Sequence, residues 1–200
     1  MLRYAVGRSG GLTYHFTALR HARMRWAPFR ARVRNFLAQT WNPLERELIV
    51  VGASAGWTLP LDWLATFERV IVVEPDPIAR LILARRFDRE CLEFDHSPER
   101  LPWFASGADR AHPLATLLAS NPRAAVLFTN VLGQLGVLLE GESPDGCREL
   151  FLGALAQRNW ASYHDVLSTS APFRNPWPEN APPDHELETL ALNFLLGDAE

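Results

Sequence analysis

A chain of 200 residues with 48% hydrophobic side chains and a formal net charge of −3 has enough apolar material for one sizeable core and no call for a second. It carries no apolar run of the roughly 18 to 20 residues that a membrane span needs, and no secretory leader pattern, so a soluble, cytoplasmic protein is expected with no membrane partner. All 20 basic side chains are arginine, and the absence of lysine excludes Schiff-base and lysine general-base chemistry.

Charge is distributed unevenly. The first 44 residues hold eight arginines and no acid, which marks a basic arm or cap ahead of an acidic body. Tyr14 to Thr40 places Phe16, Leu19, Trp26, Phe29, Val33, Phe36 and Leu37 at roughly helical spacing, and Pro28 divides the run into two helices meeting near Ala27. Arg20, Arg23, Arg25, Arg30, Arg32 and Arg34 offer phosphate contacts, and hence a nucleic-acid partner, but no recognition motif accompanies them. Docking of the arm onto its own acidic body is the preferred reading, and a nucleic-acid partner is not favoured.

After Asn42-Pro43 the pattern changes. Leu48 to Gly52 is a short β-branched run without alternation, as in a central parallel strand covered on both faces. Pro60 opens a helix at Leu61-Asp62-Trp63-Leu64. Val70 to Glu74 forms strand two, and Pro77 opens a helix with Ile78, Leu81 and Ile82 on an apolar side and Arg85 and Arg86 on a basic one. Cys91 to Phe94 is strand three and ends at Asp95; a helix near Leu114 to Ala119 precedes strand four, Ala124 to Phe128, which ends at Thr129-Asn130. Asp145 to Gln157 reads as a helix, Ala161 to Ser168 as strand five, and the five prolines of Ala171 to Asp184 as a surface loop before a last helix, Glu186 to Leu196. Strands alternating with helices predict an α/β, Rossmann-like, doubly wound and mostly parallel sheet with helices on both faces and an N-terminal helical arm. The single domain divides into the arm (1–44), the α/β core (45–168) and the proline-rich loop with its helix (169–200).

The loop after strand one, Gly52-Ala53-Ser54-Ala55-Gly56, carries the chemistry. It is literally G-x-S-x-G, the nucleophile elbow of serine hydrolases, for which Asp165 with His185 or His164 offers the remaining order of partners. In that family the elbow follows several strands that build the oxyanion hole, whereas Ser54 follows the first. A nicotinamide or flavin site needs glycines where Ser54 and Trp57 stand. Glu74, 22 positions after Gly52, ends the second strand at the distance that places an acid on ribose hydroxyls.

These residues resemble the motifs of class I S-adenosylmethionine-dependent methyltransferases over about Leu48 to Ser168. The family's acid-x-Gly-x-Gly-x-Gly loop aligns with Val50-Val51-Gly52-Ala53-Ser54-Ala55-Gly56, with the acid and the middle glycine replaced. Glu74 matches its strand-two acid, Asp95 its acid near the adenine, and Asn130-Val131-Leu132-Gly133-Gln134-Leu135 its loop facing methionine and substrate. The resemblance implies S-adenosylmethionine as cofactor, held by Gly52, Ala53, Ser54, Gly56, Glu74, Asp95 and Asn130, and methyl transfer to a small-molecule or macromolecular acceptor. It also implies that Trp26, Trp41 and Trp57 lie where a lid would form, although aromatic packing is their default role.

Asn130 and His164 are the candidate catalytic groups, the second within Tyr163-His164-Asp165 at the end of strand five, where an imidazole can serve as general base. Each has a bland alternative, a helix cap for Asn130 and a strand-end hydrogen bond for His164. His15 and His21 lack the i, i+4 spacing of a helical metal pair, His96 and His112 have no ligand cluster, and Cys91 and Cys147 form no close pair, so no metal is expected. Val50 in the acid position and the short C-terminal sheet favour a second reading, a non-catalytic Rossmann-like scaffold or a regulatory protein that binds the cofactor or its product.

Overall fold

The computed structural model describes residues 12–95, 113–131 and 153–163, all within one unit that spans residues 1–163. Five strands form one sheet: β1 Glu47–Val51, β2 Arg69–Val73, β3 Leu92–Phe94, β4 Ala124–Thr129 and β5 Trp160–Tyr163. Their order is β3-β2-β1-β4-β5 and every pair is parallel, as in the doubly wound α/β class. The register pairs Val51 with Val73 on one side and with Phe128 on the other, so the chain leaves β1, β2 and β4 at one level.

The absence of alternation in β1, β2 and β4 follows from burial on both faces. Leu48, Val50, Val70, Val72, Ala125 and Leu127 point to one layer, packed with Val33, Leu37, Leu59, Trp63, Leu64, Phe67 and Leu83. Ile49, Val51, Ile71, Val73, Val126 and Phe128 point to the other, packed with Leu117, Leu118 and Leu155. Helices therefore cover both faces, as expected.

The arm forms two helices, α1 Leu12–His21 and α2 Ala27–Asn35, separated by a turn wider than the expected single junction at Ala27. Pro28 occupies the first turn of α2, where a missing amide hydrogen costs nothing. A π-helical turn, Phe36–Trp41, continues α2 and stops at Asn42 in the left-handed conformation. The arm docks through apolar contacts more than through charge: Ala18 of α1 and Ala22 just after it pack against Ala55, Trp57 and Ala79, and Val33 and Leu37 enter the core. Arg34 pairs with Asp62 at the surface.

Helix α3 is one turn, Leu61–Leu64, with Pro60 as its cap rather than its first residue. Helix α4, Pro77–Arg86, starts where Asp76 accepts a hydrogen bond from Ile78 N at 2.8 Å. Its faces differ from the expected pattern: Leu81 is 56% exposed, Ala79 and Leu83 are buried, and Arg86 turns inward. Helix α5 is Pro113–Ser120. The remainder of strand five (164–168), all but the end of the helix expected over 145–157, and the proline-rich tail lie outside the described residues. Among the described residues no helix is long and apolar enough to cross a membrane.

Candidate functional site

Four chain segments leave the sheet together at its carboxyl edge. Gly52 follows β1, Glu74 follows β2, Asp95 follows β3 and Asn130 follows β4. Their backbones are tied across the edge: Gly52 N donates to Val73 O at 2.9 Å, Asp95 N to Val72 O at 2.9 Å, and Asn130 N to Tyr163 O at 2.8 Å. Strand order reverses between β1 and β4, so this edge contains the switch point at which open parallel sheets bind ligands.

The loop after β1 is built from left-handed backbone. Gly52 (φ 75°), Ser54 (44°), Ala55 (61°) and Gly56 (66°) all have positive φ, and Ser54–Gly56 forms a 3₁₀ turn. Glycine is required at 52 by space as well: a Cβ there would lie 2.2 Å from Val131 Cγ2 and 3.2 Å from Thr129 O. Arg86 anchors the turn by donating from Nη1 to Ala55 O, with its guanidinium 4.2 Å from the centre of the Trp57 ring.

Glu74 joins the loop to β2. Its Oε2 accepts from Ser54 N at 2.7 Å and its Oε1 from Asp76 N at 3.0 Å. The side chain is buried, with the residue only 6% exposed. Burial pushes its carboxyl up to about 7, aided by the Asp76 charge, while the two backbone N–H donors and Arg80 act in the opposite sense without prevailing. The desolvation cost outweighs two hydrogen bonds.

Beside this carboxylate stands a chain of side chains that residue spacing does not reveal. His15 of α1 is buried, accepts from Trp57 Nε1 at Nδ1 (3.1 Å), and places Nε2 3.3 Å from Asp76 Oδ2. Indole N–H only donates, so Nδ1 is the acceptor and Nε2 carries the hydrogen toward Asp76. Asp76 thus serves the cap of α4 through Oδ1 and the imidazole through Oδ2. Pro77 made the helix start legible, but not the Asp76 cap or His15, whose partners are 42 and 61 residues away in the chain. Of the three tryptophans placed at a lid position, Trp57 is buried in this group, Trp26 packs with Tyr14, and Trp41 packs with Trp63.

Of the expected residues, Glu74 meets the Gly52–Gly56 loop through Ser54 N, and Asp95 and Asn130 lie on the same edge. His164, together with the partners Asp165 and His185 of a Ser54 hydrolase, lies outside the described residues. No hydrogen bond among the described residues links the Ser54 hydroxyl to a histidine; the backbone N–H of Ser54 serves Glu74. Val50 is fully buried between Val72 and Leu127, so no polar group replaces the missing acid at that position. Among the described residues no three potential ligands group into a metal site. Two clefts, of about 350 and 210 Å³, open beside α3 and do not touch Glu74.

No protein-family model matches the chain, and neither a curated protein nor a solved structure matches it. The fold class is therefore defined by the sheet itself: an α/β, Rossmann-like domain with a five-stranded parallel sheet.

Proposed function

We propose that this domain binds S-adenosylmethionine and transfers its methyl group to an acceptor at the carboxyl edge of the sheet. The observation that carries the reading is the Glu74 carboxylate at the end of β2, oriented by Ser54 N of the loop after β1 beside the β1/β4 switch point. Each Glu74 oxygen accepts one backbone N–H and retains acceptor capacity, which suits a pair of vicinal ribose hydroxyls. The left-handed loop Gly52–Gly56 keeps backbone, rather than side chains, at the crevice; Asp95 is the candidate acceptor for an adenine amino group and Asn130 for orienting the methyl acceptor. The cofactor would supply an already activated methyl group. The chain's task is then positioning and exclusion of water, with His164 as the candidate base where the acceptor must lose a proton.

Calorimetric titration of wild type and Glu74→Ala with S-adenosylmethionine and S-adenosylhomocysteine tests this reading. Micromolar binding by wild type, weakened by about ten- to a hundredfold in the variant, is expected from the loss of charge-assisted hydrogen bonds. No binding by folded wild type rejects it.

A second reading, a non-catalytic scaffold or a regulatory binder of the cofactor or its product, is favoured by one pair of observations: Val50 is buried where the family has an acid, and Glu74 is 6% exposed beside the docked α1. Cofactor binding without turnover against fractionated cell extract supports this second reading; methylation of any fraction favours the first.

A further inference from the structure

Outside the crevice, the strongest unassigned chemistry lies where α2 faces the loop leading into α3. Arg30 donates from Nη1 to Ala22 O at 3.2 Å, and its Nε is buried without an acceptor. Buried polar atoms are rarely left so, and a guanidinium presents its donors in a fixed fork. Arg86 approaches from α4, held below its usual basicity first by burial and then by the Arg30 charge. The contacts of Arg86, the Ala55 carbonyl and the Trp57 ring, are uncharged. Among the described residues no carboxylate is ion-paired to Arg30 or Arg86; Asp62 and Asp88 line the neighbouring cleft with Arg86, and Asp62 is paired with Arg34.

A cleft of about 210 Å³ opens at this place, lined by Ala27, Arg30, Ala31, Arg34, Thr58 and Pro60. At about 30 Å³ per water it has room for roughly seven, enough for an oxyanion and a few attached atoms and too small for a nucleic-acid strand. Exposed Arg20, Arg23, Arg25 and Arg32 lie outside its lining. Two neighbouring positive charges favour a dianion over a monoanion, and guanidinium forks match phosphate oxygens.

We infer that the cleft between α2 and the Thr58–Pro60 segment binds the phosphate group of a small molecule, with Arg30 as its hydrogen-bond donor and Arg86 as a second charge behind it. The site is separate from the Glu74 crevice and does not rest on the cofactor reading.

Calorimetric titration of the full chain at constant ionic strength, with inorganic phosphate as the probe, acetate as the carboxylate comparison and chloride as background, tests the inference. Phosphate is expected to bind at least tenfold more tightly than acetate, Arg30→Gln to weaken it at least tenfold, and Arg23→Gln to leave it unchanged. No phosphate binding above the chloride background overturns the inference, as does acetate binding equally well. Equal weakening by Arg23→Gln also overturns it, in favour of a diffuse basic surface of the kind nucleic acids use. Should Arg30→Gln fail to fold, Arg30→Lys, which keeps the charge and removes the fork, is expected to lose at least fivefold; unchanged affinity there overturns the inference equally.

Discussion

At Gly52 two physical requirements coincide, a positive φ and a close approach to Val131, and they can be separated. Alanine there incurs about 1–2 kcal/mol for left-handed backbone and about 1–3 kcal/mol for overpacking. Urea unfolding of Gly52→Ala, Val131→Ala and the double variant resolves the two. The double variant is expected to recover the overpacking part alone, and strict additivity would show that the contact contributes nothing. Glu74 provides the second residue-scale prediction. Its carboxyl is raised from 4.5 to about 7 in the folded protein, so folding favours the protonated form. Its contribution to stability is fully present below pH 4.5 and is lost as pH rises through about 7. Glu74→Gln has no such titration, so its stability relative to wild type should rise by about 3 kcal/mol between pH 4.5 and 8. A difference that stays flat across that range would mean that the carboxyl titrates normally. Under the proposed function the ionised carboxylate is the better acceptor for ribose, so cofactor binding by wild type strengthens over the same range.

At the scale of elements, the strands and the docking of the arm onto its own body were legible, and the apolar contacts through which it docks were not. Apart from the terminal Glu47, Arg69 and Thr129, β1, β2 and β4 are runs of Val, Ile, Leu, Ala and Phe, and strands buried on both faces leave that mark in any parallel sheet. The acid and the small-residue loop were legible for the same reason, since they sit at fixed offsets from strand ends. Helix α1 carries Phe16 and Leu19, which periodicity assigns to a core, yet both are exposed while Ala18, Ala22 and His15 are buried. Small residues let α1 approach the Ser54–Gly56 turn closely, and no hydrophobic count of one helix registers that. Arg86 misled similarly, because a basic residue at a helix end reads as solvated until Trp57 and the Ala55 carbonyl stand above it. His15 adds a polar tie between α1 and the core through Trp57 and Asp76. His15→Ala leaves Trp57 Nε1 without its acceptor, at about 1–3 kcal/mol. Amides of Leu12–His21 should then exchange hydrogen faster while those of β1 remain unchanged; unaltered protection of α1 would show that apolar packing alone holds it.

On the scale of the sheet, the proposed function sets stability against ligand access at one place. β1 is paired on both sides and Leu48 to Val51 are almost wholly buried, whereas β3 and β5 each pair with one neighbour among the described strands. Amides of β1, β2 and β4 should therefore exchange only through global unfolding, and those of β3 and β5 through smaller openings. The loop that follows β1 is held differently, by Glu74 and Arg86 side chains in place of a ladder. Ser54 N–H is the sensitive reporter, because its acceptor is a carboxylate that any ribose would share. Glu74→Ala should raise exchange at Ser54 by at least tenfold with no change at Leu48–Val51, since about 1.4 kcal/mol of local hydrogen bonding corresponds to that factor. Equal acceleration in loop and strand would mean that Glu74 supports the whole sheet, and that its burial is structural rather than the resting state of a binding site.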